Sequence, residues 1–121
     1  MTNEITINKT HLLRQHGFSM LLLYANGCPY CEDAKKHYDN LNLNNVQLFK
    51  LELTEESLPF YLQQENINEI TPETPMDIPK IYIYHPDMIG EHNMYGMYYK
   101  MNGYDAQELD KLVNKLESMS E

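Results

Sequence analysis

The spacing of apolar and polar residues divides the chain into segments of two periods. Residues 4–8 (EITIN) alternate and predict a short, half-exposed strand. Thr10 then stands before HLLRQHG, which predicts a short helix capped by Thr10 and stopped at Gly17. An unbroken apolar run at residues 20–25 (MLLLYA), bounded by Ser19 and by Asn26-Gly27, predicts a central strand buried on both faces. Residues 32–41 set Ala34, Tyr38 and Leu41 four and three apart, which predicts a helix. After an Asn-rich turn (NLNLNN), residues 46–53 (VQLFKLEL) predict another core strand. A strand, helix, strand unit of this kind implies a parallel pair joined by a right-handed crossover.

In the second half, residues 55–66 place Leu58, Tyr61 and Leu62 on one helical face, and Pro59 fits only in that helix's first turn. Residues 68–79 hold Pro72, Pro75 and Pro79 and predict a loop. Residues 81–84 (IYIY) and 95–101 (YGMYYKM) predict two more strands, joined through a long hairpin connection at residues 85–94. Asp105 with Glu108 three positions on has the layout of a capping box, and Leu109, Leu112, Val113 and Leu116 form the stripe of a last helix. The expectation is one α/β domain over residues 1–121, without repeats or low-complexity tracts.

Composition narrows the function classes. Hydrophobic residues at 42% and charged residues at 22% are ordinary globular values. A formal charge of −9, with the nine basic residues scattered, opposes binding to phosphate backbones, so nucleic acid is not expected as a partner. The run at residues 20–25 is too short to cross a bilayer, and the opening MTNEITINKT lacks the order of a secretion signal. No membrane association and a cytoplasmic location are therefore expected.

The chemistry gathers at YANGCPYCEDAKKH, which holds the only two cysteines, Cys28 and Cys31. As half of a zinc site they would need partners such as His11 and His16, which read instead as members of the short helix; no metal site is expected. As inert core residues they would be two small hydrophobes that happen to be close. As a redox pair, each residue has a use. Two intervening residues at a helix start bring the sulfurs within bonding reach, and the helix N-terminus favours a thiolate on the first. Cys28 is then the nucleophile and Cys31, one turn inward, the resolving thiol. Pro29 suits the first helical turn, and Tyr30 offers a flat face beside the sulfur.

The order of elements around Cys28 and Cys31 resembles the thioredoxin superfamily over nearly the whole chain. CPYC is the tetrapeptide of glutaredoxin active sites, whereas EITINKTHLLRQHG before the first core strand and YKMNGYDAQELDKLVNKLES at the end resemble thioredoxin and protein disulfide isomerase. The resemblance implies a thioredoxin fold, with a central mixed sheet of about five strands flanked by about four helices. It implies that Ile78-Pro79 is the cis-proline position, where the backbone of residue 78 receives a substrate strand. Asp77-Ile78-Pro79 and Asn102-Gly103-Tyr104-Asp105 match parts of the glutathione-binding signatures, which makes Asn102 and Gly103 candidate contacts for glutathione or substrate. The chain departs from the pattern at Gly27, where thioredoxins carry Trp, near Leu22, where they carry a buried acid, and at Glu32-Asp33, where many glutaredoxins are basic.

The expected function is thiol-disulfide exchange on protein or glutathione mixed disulfides. It needs no cofactor, with glutathione as a candidate co-substrate and glutathione or a thioredoxin-reductase-type protein as reductant. A monomer is expected. Two alternatives stand beside it: a protein-binding module that uses the Tyr- and Met-rich hairpin at residues 85–100, and a cluster held by Cys28 of two subunits with glutathione.

Overall fold

The computed structural model describes residues 2–14, 17–68, 78–86 and 97–119. His16, Pro72, Pro75, Asp77 and most of the expected hairpin connection lie outside them. The described residues form one five-stranded sheet in the order β1-β3-β2-β4-β5, with β1 Thr2–Glu4, β2 Phe18–Tyr24, β3 Val46–Glu52, β4 Lys80–Tyr84 and β5 Met97–Asn102. Four strands carry the sheet, and β1 adds a three-residue edge. A 3-10 segment, Ile7–Arg14, and three helices, α1 Pro29–Asp39, α2 Leu58–Glu65 and α3 Ala106–Met119, pack around it. β1 and β2 run parallel to β3, while β4 is antiparallel to both β2 and β5.

β2 lies at the centre and is buried along its whole length, as its unbroken apolar run requires. Its alternate residues feed two cores. Met20, Leu22 and Tyr24 join Cys31, Ala34 and Tyr38 of α1 and Leu109, Val113 and Leu116 of α3. Leu21 and Leu23 join Phe60 and Tyr61 of α2, with Tyr82 and Tyr84 of β4. The helix that begins at the cysteines is pinned to the central strand by Tyr38, whose hydroxyl donates to the Met20 carbonyl at 2.8 Å.

Several boundaries differ from those expected. β1 ends at Glu4 instead of spanning residues 4–8, because after the Ile5 N–H donates to the Lys50 carbonyl the chain turns, with Lys9 N–H closing on the Thr6 carbonyl. The following segment is 3-10 and already under way at Ile7, so Thr10 sits inside it and is not its cap. α1 starts at Pro29, three residues before the apolar stripe read from residue 32 and in keeping with Pro29 at a first turn, since Cys28 supplies the cap and Pro29 has no N–H to leave unpaired. α2 starts at Leu58 and not at residue 55: the Ser57 hydroxyl donates to the Glu52 carbonyl at 2.7 Å and accepts from Thr54 N–H at 2.8 Å, holding residues 54–57 in a turn. Pro59 accordingly falls in the first turn, and Asn66 ends the helix in the left-handed conformation.

Candidate active site

Three segments meet at one edge of the sheet. Leu23 near the end of β2 pairs with Lys80 at the start of β4, and Lys80 pairs with Asn102 at the end of β5. The Cys28 loop, Ile78-Pro79 and Gly103-Tyr104 therefore emerge side by side. Gly27, at a φ of +81°, turns the chain out of β2, and Cys28 follows in extended conformation as the N-cap of α1. Its Sγ accepts a hydrogen bond from the Cys31 N–H at 3.3 Å, one of the donors that a helix start leaves without an intrahelical partner. That N–H and the positive end of the helix favour negative charge at this position.

Both cysteines are free thiols. Cys28 is half-buried, whereas Cys31 is fully buried in the core cluster that holds Leu22, Tyr38 and Ile81. Burial, followed by the hydrogen bond with Cys28, pushes the Cys31 thiol up to about 11, against a smaller opposing effect of the Ala25 backbone. Cys28 is thus the more exposed of the two residues, and the inner sulfur is kept protonated. Leu22 is itself fully buried, and its neighbours in the sheet are Lys50 and Ile81. Lys50 turns to Asp39, at 3.1 Å.

Pro29 and Tyr30 are exposed, and Tyr30, at 70% of its free accessibility, stands beside Cys28 as a large uncovered ring. The Ile78-Pro79 peptide bond is cis. Pro79 is buried, and Ile78 is half-buried against both cores. Asn102 is exposed, and Gly103, at a φ of +77°, makes the turn into the last helix. All eight residues singled out in the sequence thus belong to the three segments at this edge. Among the described residues no group of three His, Cys, Asp or Glu side chains is placed to hold a metal ion. No helix among them is long and apolar enough to cross a membrane.

Sequence reasoning missed the polar network behind the edge. Lys80, 4% exposed, donates to the Asn102 side-chain carbonyl at 2.8 Å and to Glu65 at 3.0 Å. Glu65 also accepts from Lys100 at 3.1 Å and from the Tyr82 hydroxyl at 2.7 Å. Burial raises the Glu65 carboxyl, but these three donors outweigh it and leave the group below its ordinary value. An Asn at the end of one strand is held by a buried ammonium at the start of its neighbour.

No family model matches the sequence, and no curated protein matches it. Solved structures do match in shape. Thioredoxin f from spinach chloroplast, in its short form, superposes with a TM-score of 0.69 at 12% identity, covering 95% of this chain and 92% of that one. Malassezia sympodialis thioredoxin (Mala s 13) gives 0.70 at 12% identity, over 97% and 91%. The chain has the thioredoxin fold. Mitochondrial thioredoxin 3 from Saccharomyces cerevisiae, in its oxidised form, agrees at 0.59 and 15% identity, over 95% of each chain. A structure of ferredoxin:thioredoxin reductase with thioredoxin f2 gives 0.69 at 12%, over 94% and 93%. In this thioredoxin fold, Cys28 and Cys31 occupy the junction between the central strand and the helix that follows it.

Proposed function

We propose that the chain is a thiol-disulfide oxidoreductase with Cys28 as nucleophile and Cys31 as resolving thiol. The observation that carries this reading is the half-buried Cys28 at the N-cap of α1, its sulfur accepting the Cys31 N–H, with Cys31 fully buried one turn behind it. The Cys28 thiolate attacks one sulfur of a substrate disulfide; a Cys28 mixed disulfide forms and the other substrate sulfur leaves as a thiolate and takes up a proton. Cys31 then loses its proton and attacks the Cys28 sulfur. The Cys28–Cys31 disulfide closes, and the second substrate thiol is released. The substrate gains two electrons and two protons, all from the dithiol.

Substrates in this reading are protein disulfides or glutathione mixed disulfides, received between Ile78-Pro79 and Asn102-Gly103, with Pro29 and Tyr30 as the outer wall. Recharging falls to glutathione or to a reductase of the thioredoxin type, in a reducing compartment such as the cytoplasm. The structural likeness to a thioredoxin seen with its reductase supports the second.

The test is a Cys31→Ser variant offered an oxidised protein substrate. A disulfide-linked adduct on Cys28 is expected, along with dithiol-dependent reduction of insulin by the wild type. Absence of the adduct, together with no reduction of insulin or of a glutathione mixed disulfide, overturns the reading in favour of a thioredoxin-fold binding module.

A further inference from the structure

Behind the Cys28 edge, His37 of α1 bridges two residues far away in sequence. Its Nδ1 lies 2.7 Å from the Tyr104 hydroxyl and its Nε2 lies 2.8 Å from the Asp110 carboxylate of α3. A carboxylate can only accept, so Nε2 carries a hydrogen, and with the hydrogen there alone Nδ1 accepts from Tyr104. The tyrosine is suited to donate. Burial, then the carboxylates of Asp33, Asp110 and Asp105, raise its hydroxyl above the ordinary value and keep the proton on. An Asp, His, Tyr chain has the connectivity of an activated nucleophile, but three carboxylates oppose a phenolate there. What remains is a mechanical tie. The two rings also stack edge to face, with centroids 5.7 Å apart.

The tie matters because of where Tyr104 sits. Gly103 makes the turn out of β5 at a φ of +77°, and it brings no side chain to hold that turn. The segment is instead pinned on both sides, by Lys80 on the Asn102 side-chain oxygen and by His37 on the Tyr104 hydroxyl. Tyr104 packs against the same core cluster as Cys28 and Ile78. From this arrangement we infer that His37 is a positioning residue for substrate: by tying Tyr104 to the cysteine-bearing helix it fixes the Asn102–Tyr104 segment as the wall that receives a disulfide-bearing protein strand. The inference rests on the oxidoreductase reading and names the part of the site that holds the strand flanking a substrate disulfide, a strand that hydroxyethyl disulfide lacks.

Three measurements on full-length protein test it: steady-state reduction of insulin, reduction of hydroxyethyl disulfide, and alkylation of Cys28 by iodoacetamide. An Asn side chain places a polar atom near the Nδ1 position and a Gln near Nε2, so His37→Gln breaks the tie to Tyr104 while His37→Asn keeps it. Losing one hydrogen bond predicts about a five-fold rise in KM for insulin in His37→Gln, with kcat held within about two-fold. His37→Asn should restore most of the loss, and alkylation and the small-disulfide KM should stay at wild-type values in both. An unchanged insulin KM in His37→Gln overturns the inference while leaving the oxidoreductase reading intact. An equal loss in both variants, or an equal rise for the small disulfide, also overturns it, because His37 would then serve the fold or the thiol and not the protein-receiving wall. A wild type that reduces neither disulfide removes the oxidoreductase reading and this inference with it.

Discussion

The Lys80 ammonium and the Glu65 carboxylate meet at 3.0 Å, with side chains only 5% and 9% exposed. The two are not equivalent. Glu65 serves Lys80, Lys100 and Tyr82 together, so Glu65→Leu leaves two ammonium groups without their counter-charge and should cost about 3–5 kcal/mol in urea unfolding. Lys80→Met leaves Glu65 with Lys100 and Tyr82 and should cost less, about 1–3 kcal/mol. The opposite ranking would show that the carboxylate is not the hub.

The same carboxyl sets a limit in acid. Its folded value is depressed by Tyr82, Lys80 and Lys100 despite burial, so it stabilises the fold fully above its ordinary value of 4.5 and loses that contribution as pH falls toward the folded value. The stability difference between wild type and Glu65→Gln should be constant from pH 6 to about pH 5 and shrink below about pH 4.5. A difference that stays flat to pH 3 would contradict the depressed carboxyl.

Cys31 sets a limit in alkali with the opposite sign. Its thiol is pushed from an ordinary value of 9.0 up to about 11, so the folded state keeps a proton that the unfolded state gives up. The contribution is complete below pH 9 and is lost as pH rises to 11. Reduced wild type compared with Cys31→Ala cancels the lysines and tyrosines that titrate in the same range. The advantage of wild type should fall by roughly 2 kcal/mol across that window. A constant difference in denaturant unfolding would mean that the buried thiol ionises as freely as an exposed one.

The last helix is held at its start by Asp105, whose carboxylate accepts from the Glu108 N–H at 2.9 Å. Asp105→Ala should cost about 1 kcal/mol of stability, read as a lowered midpoint in thermal or urea unfolding, and Asp105→Asn much less. Alkylation of Cys28 in the same variants should not change.

What the sequence discloses depends on whether the deciding contacts are local. β2 is legible because the short apolar run MLLLYA, bounded by Ser19 and Asn26-Gly27, suits a strand buried on both sides, although the strand begins earlier, at Phe18. The cysteine pair is legible because CPYC carries its helix start within four residues. The Asp105 cap is likewise contained in a span of three. The first strand is not, since its end is decided by the Ile5 bond to Lys50 on another strand. Nor is the burial of Lys80, whose partners are 15 and 22 residues away in sequence. His37 depends on partners 67 and 73 residues away, and nothing around HYDN announces them. Local patterns thus place the thiols, while the groups behind them are fixed only when distant segments pack together.

Gly27 gives a last test of cause. The residue sits directly before Cys28 with a φ of +81°, and a Cβ built there would meet nothing within 4 Å. Space therefore does not require glycine; the backbone does, because a side chain at positive φ costs about 1–2 kcal/mol. Gly27→Ala should lose about that much stability, and Gly27→Trp should lose a similar amount despite its bulk. If Trp proves far worse than Ala, crowding is the constraint. If Ala is neutral, the turn into the cysteine pair relaxes to negative φ, and the extended N-cap geometry of Cys28 does not depend on Gly27.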